Sequence, residues 1–157
     1  MTTMPAAAGS SSGFGWTYLS LQGRATRFTW WIWGVVALVI ANVVLSFIAG
    51  FLDVMLGLSF GMMGVGPLSI IASLLLIYPW VCVCGKRWHD RNKSAWFVLI
   101  VYGPLIATYV CMFAVPAVVT IVSVITLIGA LWTIVECGFL RGTVGDNRYG
   151  SDPLGGK

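Results

Sequence analysis

The sequence predicts an all-α protein, an integral membrane bundle of four transmembrane helices with both termini on the cytoplasmic side. Three observations carry that expectation. Of 157 residues, 59% are hydrophobic and 9% are charged, against roughly 25% charged in a soluble domain. Apolar runs long enough to cross about 30 Å of hydrocarbon recur along the chain. A four-span fold also collects every cation on one face.

The chain opens with MTTMPAAAGSSSGFG, small, polar and uncharged. No basic segment precedes an apolar one, so the stretch is not read as a cleaved signal peptide. Residues 1–15 read as a disordered tail, and the membrane domain as 16–154. The first span covers about 28–52. Asp53 and the glycine-rich LGLSFGMMGVG follow as a flexible link, which lacks the Lys and the strand-to-helix setting of a phosphate-binding loop. The second span covers about 67–85.

From Ala95 to Leu140 the sequence is apolar but for Glu136 and a few small polar residues. As one helix it would be about 69 Å long, more than twice the hydrocarbon thickness. It must fold back. Pro116 is the best turn residue, because proline suits a first helical position and not an interior one. It divides the run into spans of about 95–115 and 116–140. Pro104 then lies inside the third span and is expected to kink it.

This arrangement can be tested against the charges. Arg24 and Arg27 precede span one; Lys86, Arg87, Arg91 and Lys93 lie between spans two and three; Arg141, Arg148 and Lys157 follow span four. One face carries a formal +5 and the other only Asp53. The positive-inside rule makes the cationic face cytoplasmic. All eight tryptophans, Trp16, Trp30, Trp31, Trp33, Trp80, Trp88, Trp96 and Trp132, map to that side or to the inner halves of spans, where an indole buries its ring and keeps its N–H near water.

Three segments therefore meet at one membrane surface: LQGRATRFTWW, CGKRWHDRNKSAW and RGTVGDNRYGSDP. The first carries G-R-x-x-R followed by aromatics (Gly23, Arg24, Arg27, Trp30, Trp31). The second carries a basic pair leading into H-D (Lys86, Arg87, His89, Asp90). The third closes with G-x-N-x-Y-G-x-D-P (Gly145, Asn147, Arg148, Tyr149, Gly150, Asp152, Pro153). Together they resemble the DUF805 family of small bacterial inner-membrane proteins, over roughly Trp16 to Leu154. The chain departs from the family in having KRWHD where Arg-Arg-Leu-His-Asp is usual, and Trp30 where another aromatic is common. The resemblance implies a four-helix domain of the bacterial inner membrane and brings no catalytic residues with it.

The residues themselves leave three functional readings open. The first is a non-enzymatic bundle whose basic rim contacts anionic lipid headgroups or a partner. It uses Arg24, Arg27, Lys86, Arg87, Arg91 and Lys93, with His89, Asp90, Asn147, Arg148 and Tyr149 completing a cytoplasmic cap of 86–94 and 141–154. The same charges would also serve topology alone. The second is a small oligomeric transporter or channel using Glu136, the one acid within a span, and the Pro104 kink. Structural pairing of Glu136 with Arg141 or a cation of 86–94 is favoured over it. The third is a membrane enzyme acting on a phosphorylated or lipid substrate through His89; adjacent helical residues diverge by about 100°, and no nucleophile is placed to complete a triad with His89 and Asp90.

Asn42, in mid-span, is expected to make an interhelical hydrogen bond. Cys82, Cys84, Cys111 and Cys137 read as packing residues with no disulfide framework. Cys82 and Cys84 lie about 200° apart on a helix, which argues against a metal shared with His89 and Cys137. No cofactor is expected. Membrane lipids are the expected partners, with a homo-oligomer or a membrane protein as further ones; nucleic acid is not expected, because the cations sit at the membrane edge. The GTVGDNRYGSDP tail is expected to fold onto 86–94, with Asp146 or Asp152 facing Arg87 or Arg91, Tyr149 among the tryptophans and His89 exposed near the headgroups.

Overall fold

Backbone groups in hydrocarbon must satisfy one another, so long apolar runs fold as helices. The computed structural model describes residues 13–60 and 65–155 and is helical, apart from two isolated bridges. Helix α1 is Phe14–Leu19, α2 is Arg27–Met55 and α3 is Pro67–Asp90. A 3-10 turn, Ala95–Val98, leads into α4, Leu99–Ala114, and another, Pro116–Val118, leads into α5, Val119–Phe139. Helices α2, α3 and α5 are long and apolar enough to cross a membrane, and Ala95–Thr108 is a shorter apolar stretch. The break at Pro116 and the position of Pro104 inside a helix are where the sequence places them.

Two expected boundaries move. Helix α1 begins inside the stretch read as a tail, whose residues 1–12 lie outside the described residues. Helix α3 does not stop at Gly85: it runs through Lys86, Arg87, Trp88 and His89 to Asp90, and Asn92, at φ 56°, ends it. A left-handed Asn is a common helix stop. The polar loop is thus 91–94, and KRWHD is the last helical turn.

Helix α3 is also interrupted for one residue at Leu76. Pro79 has no N–H to give the Leu75 carbonyl, which accounts for the break. At the other end, the Asp53 carboxylate accepts hydrogen bonds from the backbone N–H groups of Leu68 (3.0 Å) and Ser69 (2.9 Å). It thereby caps the N-terminus of α3, where the helix dipole favours a negative charge. Gly66 lets the carboxylate approach, since a Cβ there would lie 2.7 Å from Asp53 Oδ1. The segment expected to be a flexible link is tied near both ends, by Leu58 N–H to Asp53 O (2.8 Å) and Phe60 N–H to Val65 O (2.6 Å). Residues 61–64 lie outside the described residues.

Helix α2 packs on the first half of α3, and α4 on α5, giving two hairpins. They join at the polar end, where the π-helical stretch Trp30–Val36 of α2 meets both Ile77–Asp90 and the π-helical stretch Ile134–Phe139 of α5. Small residues permit these crossings. A Cβ on Gly34 would sit 2.9 Å from Val83 Cγ1, and one on Gly138 2.8 Å from the Trp31 ring. The core, with Trp30, Val83, Cys84, Trp88 and Cys137, lies at this end. Nine consecutive residues, Cys82 to Asp90, are buried. The rest of the helical surface is largely exposed and apolar, as suits a chain solvated by lipid tails.

Candidate functional site: the polar plug

Each charged residue in the last turn of α3 is directed at a different segment. The Lys86 ammonium donates to the carbonyls of Trp16 (2.6 Å), Thr17 (2.7 Å) and Ser20 (2.7 Å), at the C-terminal end of α1 and the residue after it. Burial pushes this amine down to about 8. Three carbonyl oxygens nevertheless match the three N–H bonds of the charged form, and Lys86 is an ammonium at neutral pH. It also lies 4.8 Å from the centre of the Trp16 ring, a cation–π distance.

Arg87, likewise fully buried, donates through Nε to Cys137 O (2.6 Å), through Nη2 to Leu140 O, and through Nη1 to the Asp90 carboxylate and, at 3.5 Å, to Ala25 O. It binds the end of α5 to the end of α3. Asp90 receives Arg87 on Oδ2 and Arg24 on Oδ1. Burial raises its carboxyl above the ordinary range, against the opposing pull of the Arg87 and Arg24 guanidinium groups. The Asp90 carbonyl accepts from the N–H (2.8 Å) and the hydroxyl (3.0 Å) of Thr143, which brings in the C-terminal segment.

Arg24, 5% exposed, places five N–H donors on five acceptors. Its Nε goes to Asp90 (3.1 Å), Nη1 to the carbonyls of Gly145 (2.7 Å) and Gly150 (3.3 Å), and Nη2 to the carbonyl (2.6 Å) and hydroxyl (3.2 Å) of Thr143. Asp152 adds a carboxylate 4.0 Å away. The tail is shaped for this by a turn in which Asn147 and Gly150 exchange backbone hydrogen bonds, and by Asp152 accepting from Gly145 N–H (2.9 Å).

His89 faces the carbonyl of Gly23 through Nδ1 (3.2 Å) and stacks on Tyr149, centroids 3.8 Å apart and planes 6° from parallel. A carbonyl partner puts the proton on Nδ1. Burial lowers the imidazole below its ordinary value, the Gly23 carbonyl raises it, and the charges of Arg148 and Lys86 lower it further; the net shift is downward. Asn147 donates to His89 O (3.0 Å), while Arg148 donates to Asn92 O (3.0 Å) and lies over the Tyr149 ring.

The structure brings together Arg24, Lys86, Arg87, His89, Asp90, Asn147, Arg148 and Tyr149. Three expectations change. His89 is 9% exposed and covered by Tyr149. Tyr149 packs on that imidazole, because the tail turn carries it past the tryptophans. The tail acid facing a guanidinium is Asp152, and it faces Arg24, because Arg87 is already filled by Asp90 and the end of α5. Arg27 stands apart at the exposed edge, donating to Phe139 O (2.9 Å).

Glu136 pairs with two cations of the short polar loop, Arg91 Nη2 at 2.9 Å and Lys93 Nζ at 3.0 Å. Lys93 also sits within 5.5 Å of the centres of Trp88, Phe97 and Trp132. Asn42 lines a groove further along α2. The described residues include no group of three or more His, Cys, Asp or Glu placed to share an ion. Sequence reasoning missed Thr143, which links Arg24 to Asp90, and Gly142, whose Cβ would collide with the Asp90 carboxylate. The only cue was the glycine directly after Arg141.

Chemically, this is a closed network that buries charge by matching donors to acceptors. Two curated relatives are similar over most of their length. The chain is 29% identical to the inner membrane protein YhaH of Escherichia coli K12 over 136 residues, 87% of this chain and 88% of that one. It is 24% identical to the inner membrane protein YhaI of the same strain over 137 residues, 87% of each. No solved structure matches it. The apolar helices and these relatives describe a multi-pass protein of the inner membrane. A family model described as "Protein of unknown function (DUF805)" matches residues 18–151, and the chain belongs to that family.

Proposed function

We propose that this chain is a non-enzymatic four-pass inner-membrane protein, its plug and both termini on the cytoplasmic side, whose outer ring of cations contacts anionic lipid headgroups. The observation that carries the reading is how the cations divide. Arg24, Lys86 and Arg87 are buried, whereas Arg27, Arg141 and Arg148 are exposed around the plug, Arg27 and Arg148 each with a hydrogen bond to a backbone carbonyl as well. Exposed juxtamembrane cations are worth about 1 kcal/mol each at an anionic surface. In this reading the buried cations build the plug and the exposed ones meet the membrane.

Native mass spectrometry tests this in nanodiscs of phosphatidylethanolamine, with and without phosphatidylglycerol. Retained phosphatidylglycerol should fall several-fold in an Arg27→Gln/Arg148→Gln variant with unchanged thermal stability. Equal retention in the two proteins would leave the exposed cations with topology alone. Reporter fusions at the two ends test the orientation, and an external C-terminus would refute it.

A further inference from the structure

Beside the plug, between the two hairpins, is a cavity of about 200 Å³ walled by Trp30, Trp31, Trp80, Trp88, Tyr102 and Thr133, among others. An apolar cavity of about 150 Å³ holds a benzene ring, so this one has room for a substituted ring. Two of its wall residues carry buried polar atoms with no protein partner, Trp88 Nε1 and Thr133 Oγ1. A buried donor left without a partner is destabilising.

Their neighbours are satisfied. Trp30 Nε1 donates to Cys84 Sγ (3.4 Å) and Trp31 Nε1 to Gly138 O (3.1 Å). Thr108 and Thr126 donate to the carbonyl four residues back, which Thr133 does not. A buried water typically makes about three hydrogen bonds, and aromatic walls serve it poorly. Two wall residues that each carry an unused donor suit a flat molecule that accepts hydrogen bonds.

A groove of about 300 Å³ runs along the membrane-facing side of α2 and α3, lined by Leu38, Asn42, Ser73 and Ile77, and it shares Trp80 and Tyr102 with the cavity. Cavity and groove adjoin at these two shared side chains, the first walled by aromatic rings and the second mostly by aliphatic residues. We propose that they bind a membrane quinone: a lipid with a flat, carbonyl-bearing ring held in the cavity by Trp88 and Thr133, and a hydrocarbon tail laid along the groove.

The test uses the full chain in phosphatidylethanolamine–phosphatidylglycerol nanodiscs, titrated with a decyl-tailed 1,4-benzoquinone and followed by native mass spectrometry. Tetramethyl-1,4-benzoquinone supplies the ring alone and decanol the tail alone. One tailed quinone per chain is expected, with weaker binding of the bare ring. Thr133→Val removes one donor at nearly constant shape, and Trp88→Phe removes the other together with part of the ring; each should weaken binding roughly 10-fold. Ala130→Phe, on the cavity wall, should abolish it.

Without ligand, Thr133→Val should be as stable as the parent or more so, because it deletes an unmade hydrogen bond at constant shape. Should Trp88→Phe fail to fold, Thr133→Val decides the matter. No adduct, displacement by decanol as effective as by quinone, or equal binding in all variants would overturn the proposal. A bare ring that binds as tightly as the tailed one would overturn the lipid assignment and make this a site for a soluble carbonyl ring.

Discussion

Arg24 and Asp90 stand 66 positions apart in sequence and meet at the centre of the plug, with Nε and Nη2 of the guanidinium 3.1 and 3.0 Å from one carboxylate oxygen. The side chains are 1% and 6% exposed. Neither charge has water to fall back on. Removing one member of such a pair typically costs about 3–5 kcal/mol.

Arg24→Ala should therefore lower the unfolding temperature in detergent sharply. Arg24→Lys should rescue little of the loss, because an ammonium has three donors where five acceptors wait and no planar fork to reach them. A lysine variant as stable as the parent would mean that charge alone, and not the geometry of the five bonds, holds the segments.

Lys86 makes a separable prediction, because its acceptors all belong to α1 and the residue after it. Lys86→Met keeps the length of the stem and leaves three carbonyls unmatched. Hydrogen exchange should rise in residues 14–20 well before it rises in α3. Uniform exchange across the chain would show that α1 is not held independently by this one side chain.

The His89 imidazole is lowered by burial and by the charges of Arg148 and Lys86, which gives stability a pH dependence of definite sign. The unfolded chain takes up the proton first, at about 6.5. Stability from this group is complete above that value and is lost as pH falls toward the lower folded value. Thermal unfolding between pH 7.5 and 5 should show a downward step that His89→Gln flattens. If both proteins lose stability in parallel, the step belongs to the carboxylates.

Much of this was legible in the sequence. The count of cations on either side of each apolar run gathered the polar segments at one end, and Pro116 marked the fold-back. What could not be read is that Arg24, Lys86 and Arg87 point inward. Most of their acceptors are backbone carbonyls, and every residue has one, so no side-chain pattern announces it. Asp53 was hidden for a related reason: it caps a helix whose first residue lies well along the chain, through backbone N–H groups that have no sequence signature.

Gly142 is a sterically defined test of the plug. A Cβ there would overlap the Asp90 carboxylate, which Arg24 and Arg87 hold from the other side. Gly142→Ala should cost about 1–3 kcal/mol, the usual penalty for overpacking. Gly15→Ala, inside α1 with nothing within 4 Å of its Cβ, should leave unfolding unchanged or raise it slightly, since Ala favours a helix over Gly. A tolerated Gly142→Ala would mean the tail can move aside without disturbing Asp90.

Glu136 separates a structural role from a transporting one. Its carboxylate contacts Arg91 and Lys93, and the Lys93 ammonium sits among Trp88, Phe97 and Trp132. If the acid mainly holds these cations, Glu136→Gln and Lys93→Met should each destabilise the fold, and the double variant should lose less than the sum of the two. A coupling of about 0.5–3 kcal/mol is the range for contacting residues. The aromatic ring contacts make Lys93→Met the milder change, since a methionine stem keeps the packing. Additive losses would mean the pair is not energetically joined. A proton flux in liposomes that disappears in Glu136→Gln while the unfolding temperature is kept would place the carboxylate in a transport path. Thermal unfolding of the four proteins and one flux measurement decide between these roles, because a carboxylate clamped by two cations and one that must exchange protons cannot both be the dominant state of Glu136.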